Sequence, residues 1–157
     1  MSEERDDLAE LRAEIDDVGR TAERRFDPGR GALTIAIAVL AVLVSMILPW
    51  HGDKTGLDIL LGEARAVPKF FSYAVLVAGV LLPALTLATR RWTLAWISAL
   101  ASFAASVSGV LSIWTTQTGT GHQAGIGPGA GLIIAVVAII VLLAKWLKIA
   151  ASRAPMR

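Results

Sequence analysis

Four stretches of this chain, residues 31–50, 70–89, 92–114 and 129–144, contain no Asp, Glu, Lys or Arg. A bilayer core of about 30 Å needs about 20 helical residues at about 1.5 Å rise each. A soluble domain of 157 residues rarely carries even one such run. The runs therefore predict an all-α membrane protein with four transmembrane helices, near 31–50, 70–89, 92–114 and 129–147. Hydrophobic residues make up 55% of the chain. That value argues against a disordered chain or a soluble enzyme. The chain has no cysteine, which removes disulfides, thiolate nucleophiles and Cys-based zinc sites.

Charge is unevenly placed. Residues 1–30 hold ten acidic and six basic side chains. Arg90 and Arg91 separate the second and third runs, and Lys145, Lys148, Arg153 and Arg157 follow the fourth. Basic residues mark the cytoplasmic side of short loops. The expected topology is N-in/C-in, as a multi-pass plasma (inner) membrane protein with both termini cytoplasmic. Trp50, Trp92, Trp114, Trp146 and Tyr73 lie near run ends, where an aromatic belt is expected. No basic stripe interleaves with aromatics, so nucleic acid is not expected as a partner. The first apolar run follows thirty mostly polar residues, unlike a signal peptide, and is expected to be a retained anchor.

Three parts follow from this pattern: a cytoplasmic polar helix over 1–28, a four-helix transmembrane domain over 29–147 and a basic tail over 148–157. In the first, Leu8, Leu11, Ile15 and Val18 recur at spacings of three and four, an amphipathic seam suited to cytoplasmic docking. Thr55 is expected to cap a short interfacial helix in the first outer loop, ended by Gly62. Gly79 and Pro83 are expected to kink the second span. In the third span Ser98, Ser102 and Ser106 recur every four residues, as do Ala101, Ala105 and Gly109. Such a face admits another helix closely, with serines bonding across the contact. The fourth span, rich in Ile, Val and Leu, is expected to be the most lipid-exposed.

Chemistry is sparse. His51, Asp53, Asp58, Glu63 and His122 are the only candidates on the outer side, and no His pair has helical ligand spacing. Ser45 near His51 lacks a nucleophile-elbow context. The glycine-rich 119–129 segment has no P-loop lysine. No span carries the intramembrane charge typical of ion or proton paths. No catalytic residue, metal or cofactor is expected.

Leu48-Pro49-Trp50, the 55–62 run Thr55-Gly56-Leu57-Asp58-Ile59-Leu60-Leu61-Gly62, Leu82-Pro83-Ala84-Leu85, Arg90-Arg91-Trp92 and Ile113-Trp114-Thr115-Thr116-Gln117 resemble small actinobacterial four-span envelope proteins of the LucB kind. That family includes accessory subunits of the mycobacterial MCE lipid importer. The resemblance implies a non-catalytic accessory subunit whose partners are other membrane subunits, above all a permease, and lipids. The alternative is a stand-alone lipid-handling membrane protein.

Overall fold

The computed structural model describes residues 29–62, 66–118 and 127–152. Four long helical rods dominate them. Helix α1 (Gly29–Ile47) leads into a small antiparallel hairpin of β1 (Pro49–His51) and β2 (Lys54–Thr55). Helix α2 (Gly56–Leu61) follows. The second rod is compound: α3 (Ala66–Leu76), a π-helical segment (Val77–Leu81) and α4 (Leu82–Thr89). Helices α5 (Trp92–Gln117) and α6 (Ala130–Ala151) complete the bundle. The docking seam at Leu8, Leu11, Ile15 and Val18, and also Glu63, His122, Arg153 and Arg157, lie outside the described residues.

The π segment has a local cause. Pro83 has no N–H to give the Gly79 carbonyl four residues back, so an α-helical ladder cannot run through this turn. The ladder widens instead, and the Leu82 N–H reaches the Val77 carbonyl five residues back. Gly79 lies within the widened turn, and Pro83 in the first turn of α4. A Cβ on Gly79 would stand 3.0 Å from both Ile139 and Val42, so the absent side chain lets three rods converge.

Helix α6 packs against both α5 and α1 and reaches the hairpin and the π segment. It buries Gly131, Leu132, Ala135, Val136, Ala138, Ile139, Leu142, Trp146 and Ala150. The expectation that this rod is the most lipid-exposed is therefore corrected. Its Ile and Val content disguises a stripe of small residues, Gly131, Ala135 and Ala138, on the inward side. The outward side holds Ile133, Val137 and Ile140.

Three rods, Ala66–Thr89, Trp92–Gln117 and Ala130–Ala151, are long and apolar enough to cross a membrane, while the apolar part of α1 at Gly31–Ile47 is shorter. The molecule is thus mostly helical, with helices of membrane-crossing length.

Candidate functional site

The end of the bundle that carries the hairpin is organised around Trp50, which is fully buried. Its indole N–H donates to the Ser45 carbonyl oxygen at 2.7 Å, and its ring meets Phe71 at a centroid distance of 5.3 Å. Glycines line the rest of its surroundings. A Cβ on Gly56 would lie 2.7 Å from the indole, and one on Gly131 2.7 Å from it and 2.8 Å from the Ser45 and Leu48 carbonyls. One on Gly129 would collide with the Pro49 carbonyl. The Gly129 N–H donates to the Trp50 carbonyl at 2.9 Å, joining the start of α6 to the hairpin. Gly52 closes the hairpin at φ 58°, a backbone region suited to glycine.

Thr55 and Asp58 form a reciprocal cap on α2. The Thr55 N–H and hydroxyl donate to the Asp58 carboxylate at 2.9 and 2.8 Å, and the Asp58 N–H returns to the Thr55 hydroxyl at 3.2 Å. The backbone bond from Thr55, its hydroxyl bond and the nearby Lys54 charge together hold the Asp58 carboxyl below its ordinary pKa. His51 is half-buried in the hairpin, with Nδ1 buried and unpartnered among the described residues. No group of three or more His, Cys, Asp or Glu that could hold a metal occurs among the described residues.

The small-residue face of α5 is brought inward. Ser98, Ser102, Ala105, Ser106 and Gly109 are buried and Ala101 is half-buried. Gly109 faces Phe71 and Val136, where a Cβ would come within 2.8 Å of each. The serines behave differently from the expected cross-helix bonding. Ser106 and Ser108 donate back to the Ser102 and Ala105 carbonyls of their own helix. The Ser102 and Ser112 hydroxyls are buried without a hydrogen-bond partner among the described residues. Bonds do cross between rods at Thr86: its hydroxyl meets the Ser98 hydroxyl at 2.8 Å and also reaches the Leu94 carbonyl, at 3.5 Å.

The aromatic belt also needs correction. Trp50 and Trp146 are fully buried, whereas Trp92, Trp96, Trp114 and Tyr73 are exposed. Residue type pointed to the interface, but a tryptophan also fills a large interior gap, and at Trp50 the indole N–H finds its partner in the Ser45 carbonyl. The Trp50 latch was missed for this reason. The glycines at 56, 129 and 131 were its one visible trace.

These features define a helical bundle with a sealed small-residue interior and no assembled catalytic constellation among its described residues. The model of the MiaB C-terminal domain family matches residues 12–157, and the chain belongs to that family. Over 154 residues it is 40% identical to the tRNA-2-methylthio-N(6)-dimethylallyladenosine synthase of Mycobacterium avium (strain 104). The aligned region covers 93% of this chain and 21% of that relative. No solved structure matches the chain.

The family assignment overturns the likeness to LucB-type envelope proteins and, with it, the accessory role in an MCE-type lipid importer and the permease partner. The stand-alone lipid-handling alternative falls for the same reason. The non-enzymatic expectation is corrected because the relative is named as a synthase. The exclusion of nucleic acid is corrected because that name specifies a nucleoside of tRNA. The expected placement as a multi-pass plasma (inner) membrane protein with both termini cytoplasmic is corrected on the same finding. The physical reason is coverage. This chain corresponds to about a fifth of the relative, and neither a cysteine nor a basic stripe within it signals tRNA chemistry.

Proposed function

We propose that the chain serves as the helical C-terminal unit of a tRNA-modifying protein of the MiaB type. Its four rods cross a bilayer, with both ends of the bundle on one side. The reaction on the tRNA adenosine is carried by parts of such a protein outside this chain, and the bundle fixes where that reaction takes place.

The observation that carries this reading is the inverted distribution of polarity. Ser45, Ser72, Thr86, Ser98, Ser102 and Ser112 are fully buried, while Leu33, Ile47, Leu61, Leu100 and Trp114 are each 60% exposed or more. Monomeric soluble proteins rarely present contiguous apolar patches beyond a few hundred Å². A lipid surround accepts such an exterior, and small residues then supply the helix contacts. Ser98, Ala101, Ser102, Ala105, Ser106 and Gly109 fit that contact role within the bundle, with Gly79 and Pro83 shaping the second rod. Residues 1–28, with Leu8, Leu11, Ile15 and Val18, are proposed to connect the bundle to the modifying part.

The test uses the full-length protein and a version lacking this unit, each expressed in cells without their own 2-methylthio modification. Nucleoside mass spectrometry reads the tRNA, and carbonate-washed membranes report integration. The full-length protein is expected to restore the nucleoside and stay with membranes, and the shortened one to be released. Release of the full-length protein by carbonate overturns the bilayer assignment, and absence of the nucleoside overturns the tRNA assignment.

A further inference from the structure

Two polar groups are left over at one level inside the bundle. The Ser102 hydroxyl is fully buried and has no hydrogen-bond partner among the described residues. Its neighbours behave otherwise: Ser106 and Ser108 donate to carbonyls of their own helix, and Ser98 meets Thr86. The second group is the Ala78 carbonyl in the π segment. The Leu82 N–H, four residues on, is committed to the Val77 carbonyl. Pro83, five residues on, has no N–H. Neither an α-helical nor a π-helical bond therefore reaches the Ala78 carbonyl, and Ala78 is buried. A buried carbonyl or hydroxyl left without a partner costs free energy.

Two contacts fix how α5 lies along the second rod. Ser98 bonds Thr86 at one end, and Gly109 meets the Phe71 ring at the other. Ser102 lies between Ser98 and Gly109 on the same face of α5, because steps of four and seven residues return to one side of a helix. The stretch of the second rod between Phe71 and Thr86 contains the π segment, and α5 packs against that segment. Two turns on from Phe71 and one turn back from Thr86 both lead into it or to its end at Leu82. Ser102 therefore stands level with the widened turn that leaves the Ala78 carbonyl unserved.

We infer that Ser102 and the Ala78 carbonyl form a catch poised to close. They do not bond in the arrangement described above. A small shift of the widened turn toward α5 joins them, with the Ser102 hydroxyl donating to the carbonyl. Gly79 permits the shift, since it has no side chain to drag between Val42 and Ile139. The catch gives the second rod a bending point in mid-course. On one side of it Phe71 is held against Trp50 and Gly109, and on the other Thr86 is held against Ser98. Single π turns inside α-helices are frequent at functional sites, where a helix changes shape.

The experiment is methyl relaxation dispersion on the full chain in detergent micelles, with carbon-13 in the alanine methyls, which reads exchange on the μs–ms scale. The Ala78 methyl of the parent is expected to exchange with a closed form populated at roughly 1–10%. Ser102→Ala removes the donor and is expected to abolish that exchange. Pro83→Ala returns an N–H to the ladder, frees the Leu82 N–H for the Ala78 carbonyl and is expected to abolish it too. Ser112→Ala is the control. That hydroxyl is also buried without a hydrogen-bond partner among the described residues, but it lies beyond Gly109, away from the π segment. Exchange at Ala78 is expected to persist there. Each variant is compared at parental helical circular dichroism. A parent without exchange at Ala78 overturns the catch, as does exchange that survives in Ser102→Ala or in Pro83→Ala. Loss in Ser112→Ala as well overturns it in favour of a general tightening of α5.

Discussion

The indole N–H of Trp50 reaches back 2.7 Å to the carbonyl of Ser45, five residues earlier in the chain. That bond turns the end of α1 into a pocket for its own following residue, and Gly131 of α6 closes it from the other side. The contact on Gly131 involves backbone carbonyls, which cannot swing away. Gly131→Ala is therefore expected to destabilise the bundle by about 1–3 kcal/mol, the usual cost of overpacking a close contact. Thermal unfolding in a mild detergent reads it, and an unchanged midpoint would show that α6 can shift away from the hairpin.

Gly31 supplies the opposite sign. It is helical, and a Cβ there meets nothing within 4 Å. Gly31→Ala is expected to stabilise α1 by up to about 1 kcal/mol through backbone entropy alone. Measured beside Gly131→Ala, it separates loss of a close approach from the general effect of replacing a helical glycine. Destabilisation at Gly31 would mean that this face of α1 has a close neighbour.

The helical class was legible because charge-free runs of that length have few other solutions. The Thr55 cap was legible because a hydroxyl three residues before a carboxylate is a local signal, complete within four residues. The Trp50 latch was not, since its partners Ser45, Gly56, Phe71 and the Gly129–Gly131 pair come from four separate places in the chain. The central position of α6 was hidden by its composition. Only the phase of Gly131, Ala135 and Ala138 against Ile133, Val137 and Ile140 carries it. The link to tRNA modification has no residue signature here that physical reasoning could use, because the matched region is 21% of the relative.

Thr86 and Ser98 offer a test of how much a buried hydroxyl pair contributes between rods. Their 2.8 Å bond crosses from α4 to α5. Ser98→Ala is expected to cost about 0.6 kcal/mol, the average for such bonds in membrane bundles. The double variant with Thr86→Val should cost less than the sum of the singles. Ser102→Ala is the control. That hydroxyl is buried and has no hydrogen-bond partner among the described residues, so its removal is expected to be neutral or stabilising. A larger loss at Ser102 than at Ser98 would contradict the hydrogen-bond assignment.

Asp58 predicts a pH response confined to the hairpin end. Its carboxyl lies below the ordinary aspartate pKa, first because the Thr55 N–H donates to it, then because of the Thr55 hydroxyl, with Lys54 adding a smaller pull against desolvation. A lowered folded pKa stabilises the ionised form. The contribution is fully present above the ordinary aspartate value and is lost as pH falls through the lowered one. The Thr55 amide proton resonance is expected to titrate below the ordinary aspartate midpoint, reporting release of the α2 cap in acid. Asp58→Asn keeps an acceptor but removes the titration, so the step should vanish while α2 remains. A midpoint at or above the ordinary value would show that the carboxylate is not held by Thr55. A step that survives in Asp58→Asn would assign the titration to another group.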